Sequence, residues 1–367
     1  MTALTELLDR HVAEGTVPGV VAALGDVDGD LEVASAGDLA TDAIVRIQSM
    51  TKPVLAVATL RMVQSGRLGL DDAVQRWLPE LANRQVLRAS EADLDEVVPA
   101  AGPITVRHLL TNASGYGMIL TPSPLQEAMA ANETEAGPDP PTLGAEAWLT
   151  ALAELPLVHQ PGAGWRYHHS FGILGILLSR LTGRTVGEHL AADLFGPLGM
   201  VDTAYSVPLE KADRLPAAYR REEDGELVQL EPHGSGFHVG ERPFDVSHDE
   251  LVSTARDYAA FVRMLAADGR HNGDEILEPG LLHEMRSDQV QTEAKTPDSF
   301  FPGFWDGMGW GYGVAVQTSG DRAGSYGWSG GLGTDVFVDP DGSFGVLLTQ
   351  VEMGPHTFRL MEDLRML

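Results

Sequence analysis

A serine and a lysine three residues apart, in the run Ser49-Met50-Thr51-Lys52, are the residues whose types and spacing most directly suggest chemistry. Positions i and i+3 share a helix face, so an amine at Lys52 can reach a hydroxyl at Ser49 and, when neutral, take its proton as the oxygen attacks a carbonyl. The run VLAVATL (54–60) follows at once and supplies the apolar surroundings that disfavour a charged lysine. Lysine occurs only three times, at Lys52, Lys211 and Lys295, so an amine in such a setting is conspicuous. The chain has no cysteine, which removes a thiolate nucleophile, thiolate metal sites and disulfides and turns attention to serine.

These residues need a helix N-terminus to hold them. Apolar spacing predicts a helix that begins close to Ser49 and runs to Gly66, entered from a short strand at AIVRIQ (43–48). Unpaired N–H groups at its start would favour negative charge developing near Ser49, and Pro53 sits where a missing N–H costs nothing. Before it, MTALTELLDRHVAEG reads as an amphipathic helix and GVVAALGDVDGDLEVASAG (19–37) as a hairpin turning at Asp28-Gly29. Residues 67–245 alternate helical segments with Pro/Gly-rich loops, and 121–144, with five prolines, reads as an irregular surface segment or lid. A further helix over 250–268, capped by Ser253 or Thr254, precedes strands at 312–317, 322–328, 334–339 and 344–351 and a closing helix at HTFRLMEDLRML. Strands at both ends around a helical middle predict an α/β fold of the α+β type. A central antiparallel sheet drawn from 1–66 and 246–367 would be flanked by helices, with 67–245 as a mostly helical inserted domain and the active site in the cleft between them.

With 53 acidic against 25 basic residues, a net charge of −28, the chain would repel nucleic-acid phosphates and anionic lipid surfaces, so neither is an expected partner. No apolar run approaches the roughly 18 residues of a membrane span, and the start lacks a basic segment followed by an apolar one, which makes a cytoplasmic protein the expectation. The adjacent His168-His169, and His233 and His238 in a Gly-rich loop, match no metal-ligand spacing, so no metal and no cofactor are expected. His238 lies in a segment that could line the cleft and is a candidate for substrate contact.

Four longer stretches carry a resemblance: SMTKPVLAVATLRMVQSGRLGLDD (49–72), ITVRHLLTNASGYG (104–117), PGAGWRYHHSFGILGILLSRLTGR (161–184) and LFGPLGMVDTAY (194–205). In that order, and extended by LVSTARDYAAFVRML and GWSGGLGTDVFVDP, they resemble the serine β-lactamase and penicillin-binding-protein-like superfamily. Within it they are most similar to the class C-like esterase branch, the family VIII carboxylesterases and transesterases. The resemblance implies a β-lactamase/DD-peptidase-like fold in which Ser49 is the acylated nucleophile and Lys52 activates it. Tyr167 stands at the tyrosine of Y-x-N, sharing the base role and passing a proton to the leaving group. Backbone N–H groups of Ser49 and Gly331 would form the oxyanion hole.

Two departures from the pattern bear on substrate. Trp328-Ser329-Gly330-Gly331 falls where β-lactamases carry K-T-G, so Trp328 replaces the lysine that pairs with a substrate carboxylate; His169 replaces the amide-binding Asn of Y-x-N. Trp328, Ser329, Gly330 and His169 are therefore expected to contact substrate, and a neutral small-molecule ester with apolar groups near Trp328 fits better than a penicillin. Gly327-Trp328-Ser329-Gly330-Gly331 also spells G-x-S-x-G, but a strand, turn and strand follow it where a nucleophile elbow needs a helix. The reading is a serine hydrolase of carboxylic esters working through an acyl-enzyme, able to pass the acyl group to an alcohol or amine. Its rivals are a β-lactamase or D-amino-acid peptidase of the same fold, and a non-catalytic binding or assembly member. The sequence names no oligomeric state.

Overall fold

Alternating apolar residues build a sheet whose two faces are both covered. The structure, a computed structural model, describes residues 2–137, 141–240 and 242–367. Its central sheet contains β1 (Gly19–Gly25), β2 (Glu32–Gly37), β3 (Met308–Trp310), β4 (Ala315–Gln317), β5 (Tyr326–Gly330), β6 (Thr334–Val338) and β7 (Phe344–Leu348). The spatial order is β3-β4-β5-β6-β7-β1-β2, with every neighbouring pair antiparallel. The two chain ends meet where β1 pairs with β7, Val21 opposite Leu348.

Side chains alternate across each strand, and the two sets enter different cores. Val21, Ala23, Val336, Val338, Val346 and Leu348 face the larger core, which includes Phe261 and Leu265 of helix α4 (Ala255–Ala266). Val20, Ala22, Phe337 and Leu347 face the smaller one, closed by Leu4 and Leu8 of helix α1 (Ala3–Ala13) and Leu360 and Leu364 of helix α5 (Pro355–Arg365). Thr254 caps α4, its Oγ1 accepting from the Asp257 N–H at 3.1 Å.

Helix α2 (Thr51–Gln64) lies inside the larger core and buries 11 of its 14 residues, Lys52 among them. It packs against helix α3 (His169–Thr182), whose residues from His169 to Leu178 are all buried. The segment 246–250 approaches α3 at Gly172, where a Cβ would stand 2.8 Å from His248 Nδ1.

The structure departs from expectation in several places: the strand at 312–317 is only Ala315–Gln317, because the chain turns at Gly313, and the helix expected over 250–268 begins at Ala255, Val252–Ser253 being strand. The strand at 43–48 shrinks to Val45–Arg46, paired with Val252–Ser253. The 322–328 segment is a turn as far as Ser325, because Arg322 and Ser325 are tied to Asp339. The span 121–144 contains a helix, Pro124–Ala131, with Pro124 in the first turn and Ser123 accepting from the Gln126 N–H; residues 138–140 of that span lie outside those described. The 67–245 region also holds two hairpins, 85–87 with 97–99 and 218–221 with 227–231.

Gly313, between β3 and β4, joins these parts. Its N–H donates to the Leu110 carbonyl, its φ is +72°, and a Cβ would sit 2.9 Å from both Ala56 Cβ and the Lys52 carbonyl. Gly313→Ala is expected to destabilise the protein by about 2 kcal/mol through positive φ and overpacking against α2. Urea unfolding checks this; an unchanged midpoint would show that α2 has room to move.

Candidate active site

The turn that carries Ser49 is a single turn of 3₁₀ helix, Gln48–Met50, that runs directly into α2. Gln48 is held at φ +51°, and the next residue, Ser49, receives a hydrogen bond from Lys52 Nζ at 2.9 Å. The same nitrogen donates to the His248 carbonyl. Lys52 is fully buried, and burial pushes its pKa down to about 7 against the opposing pull of the Asp249 charge. A large share of the side chain is therefore neutral near pH 7, as a general base requires.

Tyr167 completes the group. Its ring centre lies 4.4 Å from Lys52 Nζ, and the nearby Ser49 partly offsets the effect of burial on its hydroxyl. Trp328 Nε1 donates to that hydroxyl at 2.6 Å. Burial raises the Tyr167 pKa, so the phenol stays protonated at neutral pH. Trp328 in turn belongs to an aromatic wall: its ring centre lies 4.7 Å from that of Trp310 and 5.4 Å from that of Tyr167, with Phe300, Phe304 and Trp165 behind.

Tyr167 is followed by a strained residue. His168 has φ +98° and ψ −78°, a conformation L-residues rarely adopt, and it aims the His168 ring at His248, ring centres 4.0 Å apart. Between and beside them Asp249 offers one carboxylate oxygen to each Nε2, both at 3.4 Å. The charge of Asp249 is held ionised by these imidazoles and by Lys52. Among the described residues these three form the one group whose potential metal-ligand atoms converge, all within 4.8 Å. Sequence reading missed it because the partners are about eighty residues apart and His248-Asp249 carries no motif.

At the end of β5, Gly330 and Gly331 bring the strand against the Ser49 turn. A Cβ on Gly330 would meet the Ile47 carbonyl and Thr334 Oγ1 at 2.3 Å, and one on Gly331 would stand 3.4 Å from Gln48 Oε1. The structure thus brings together Ser49, Lys52, Tyr167, Trp328, Gly330 and Gly331.

Comparison with known proteins agrees with this geometry. The family model described as Beta-lactamase matches residues 4–367. The chain belongs to the beta-lactamase family. It is 34% identical to Protein Rv1367c of Mycobacterium tuberculosis over 86% of this chain and 78% of that protein. It is 31% identical to Esterase EstB of Burkholderia gladioli over 84% of this chain and 77% of that one. Among solved structures, EstCE1, described as a hydrolase with promiscuous acyltransferase activity, superimposes with a TM-score of 0.80 at 23% identity, covering 98% of this chain and 96% of that one. This last likeness shows the fold.

Two expected substrate contacts in the family's motif positions are used otherwise. Ser329 lies on the opposite face of β5 from Trp328, because successive strand residues alternate, and its Oγ donates to Asp335 Oδ1 at 2.6 Å. That placement also leaves no nucleophile elbow at G-x-S-x-G, which lies in β5 and the turn to β6. His169 is buried in the first turn of α3, stacked on Trp148, with Nε2 at 2.6 Å from the Thr134 carbonyl, and so anchors the 124–135 segment. His238 is buried and lines a cavity of about 270 Å³ together with Gly331 and Gln48.

The pH dependence follows from the buried charges. With Lys52 as base, kcat/KM is expected to rise with pH around a midpoint near 7. Asp249 is the charge that raises the Lys52 pKa, so Asp249→Asn should move the midpoint to lower pH. A pH profile of kcat/KM checks this, and a midpoint that stays or rises would separate Asp249 from the base.

Proposed function

We propose that the protein is a serine ester hydrolase that works through an acyl-enzyme on Ser49. The observation that carries the reading is the 2.9 Å hydrogen bond between Ser49 Oγ and a buried lysine amine that is partly neutral near pH 7. Lys52 takes the Ser49 proton as Oγ adds to the ester carbonyl. N–H groups of Ser49 and Gly331 receive the oxyanion, each donor contributing roughly 3 kcal/mol to the transition state. The proton passes through the Tyr167 hydroxyl to the departing alcohol, and water, or an alcohol or amine acceptor, then attacks the acyl carbonyl along the reverse route.

Substrate preference follows from what replaces the family's cation. At Trp328 the site presents an indole N–H already given to Tyr167, and behind it an aromatic wall that suits an apolar acyl group. A carboxylate-bearing β-lactam finds no lysine there. The esterase and acyltransferase descriptions of EstB and EstCE1 support the same reaction class.

Ser49→Ala should lower turnover of p-nitrophenyl butyrate by about three orders of magnitude or more and abolish labelling by a fluorophosphonate. Undiminished turnover in this variant, or nitrocefin cleaved far faster than the ester by the unmodified protein, would overturn the assignment. Trp328→Phe keeps the ring but removes the donor to Tyr167, and a loss of about tenfold in kcat is expected. Steady-state kinetics with KM resolved from kcat would show whether the N–H serves the chemistry or only the pocket.

A further inference from the structure

The cavity beside Gly331 has a lining unlike the aromatic wall. Six of its side chains are ionisable, Arg46 and Arg220 against Glu231, Asp249, Glu250 and Glu352, and burial with the neighbouring Asp249 pushes the Glu250 pKa up to about 9, so Glu250 is largely uncharged at neutral pH. The cations are engaged. Arg46 donates to the Pro216 carbonyl at 2.7 Å and to Gln350 Oε1 at 3.2 Å and stands 3.8 Å from Glu231, while Arg220 pairs with Glu222 at 2.9 Å. Of the carboxylates, Glu250 pairs with Arg242 at 3.1 Å and Asp249 faces the two histidines. Glu352 has no ion-pair partner among the described residues. Its backbone N–H donates to the Tyr219 carbonyl, as that of the neighbouring Met353 does to the Gly331 carbonyl, so the segment lies along the rim of the candidate oxyanion hole.

His238 adds an independent observation. It is 4% exposed, lines the same cavity, and neither ring nitrogen has a hydrogen-bond partner among the described residues. Burial and the nearby Arg46 and Arg242 push its pKa down to about 3, so the ring is neutral and one nitrogen keeps an open lone pair. Leaving such an acceptor unpaired in a buried place is costly, and a ligand that brings N–H groups relieves it.

Together, a buried acceptor without a partner and a carboxylate without an ion pair line a space of about 270 Å³ at the residue before the nucleophile, Gln48, and at Gly331. We propose that this cavity is a subsite for a positively charged ammonium group of the substrate, held by His238, Glu352 and the field of Asp249, on the side of the ester opposite the aromatic wall. This rests on the ester-hydrolase reading and adds to it a substrate class: esters joining an apolar part to an amine-bearing part. The overall charge of −28 works in the same direction, drawing cations toward the cleft.

An ammonium group could belong to the alcohol or to the acyl half, and the test has an arm for each. At low ionic strength, kcat/KM is compared for 2-aminoethyl butyrate and its neutral isostere propyl butyrate, and for p-nitrophenyl 4-aminobutyrate and p-nitrophenyl pentanoate. A preference of about tenfold or more for the cationic member of one pair is expected, falling toward unity in Glu352→Gln and weakening with salt. The arm that shows it identifies the half that carries the amine. Ser49-dependent turnover with no cationic preference in either pair overturns the subsite and leaves the hydrolase reading intact. Should no ester be turned over, binding of butylammonium against butanol is read by saturation-transfer NMR: selective binding of the cation that is lost in Glu352→Gln and in His238→Phe sustains the subsite, and equal or absent binding overturns it. Circular dichroism of both variants separates lost recognition from lost folding.

Discussion

The whole arrangement depends on placing a lysine amine in the protein interior. Taking an ammonium ion out of water is expensive, and the protein lowers that cost by letting Lys52 lose its proton near neutral pH and by giving the nitrogen two acceptors, Ser49 Oγ and the His248 carbonyl. Every surrounding element serves this condition. Helix α2 is buried almost all round, so Lys52 cannot turn toward solvent, and Gly313 and Gly172 bring the β3–β4 turn and the 246–250 segment close enough to seal it.

The polar groups around the amine divide its work. Tyr167, kept protonated by burial and receiving the Trp328 N–H, is suited to moving a proton between Ser49 and a leaving group. Asp249 supplies a fixed negative charge that prevents the lysine pKa from falling further, and the strained backbone at His168 is the conformational cost of presenting both Tyr167 and an imidazole that faces Asp249 from consecutive residues. In the proposed complex the scissile bond would lie between unlike surroundings, with the aromatic wall and the acidic cavity together acting as a substrate filter.

Much of this was legible in the sequence, for identifiable reasons. The S-x-x-K spacing and the apolar run after it express local geometry, and the hairpin at 19–37 and the Thr254 cap are set by residues close together in the chain. Motif alignment, in contrast, assigns a position and not a direction. His169 occupies the family's Asn position but turns to Thr134, and Ser329 falls in the family's K-T-G segment but points to Asp335. The second case was open to strand alternation, since Ser329 and Trp328 are neighbours and must face opposite ways. Asp249, His248 and Glu352 left no signal, because they meet the site only through tertiary packing. The prolines of 121–144 concealed a helix that Ser123-Pro124, a cap followed by a first-turn proline, could have revealed.

The scarcity of lysine makes the central claim directly measurable. Protein labelled with 13C at lysine Cε should show three lysine signals, from Lys52, Lys211 and Lys295, and Lys52→Met assigns one of them by its disappearance. Followed by NMR from pH 5 to 11, that signal is predicted to titrate with a midpoint of about 7. A Lys52 signal that titrates with an ordinary lysine midpoint, about 10.4, would contradict the account, because the buried amine would then remain charged where it must act as a base.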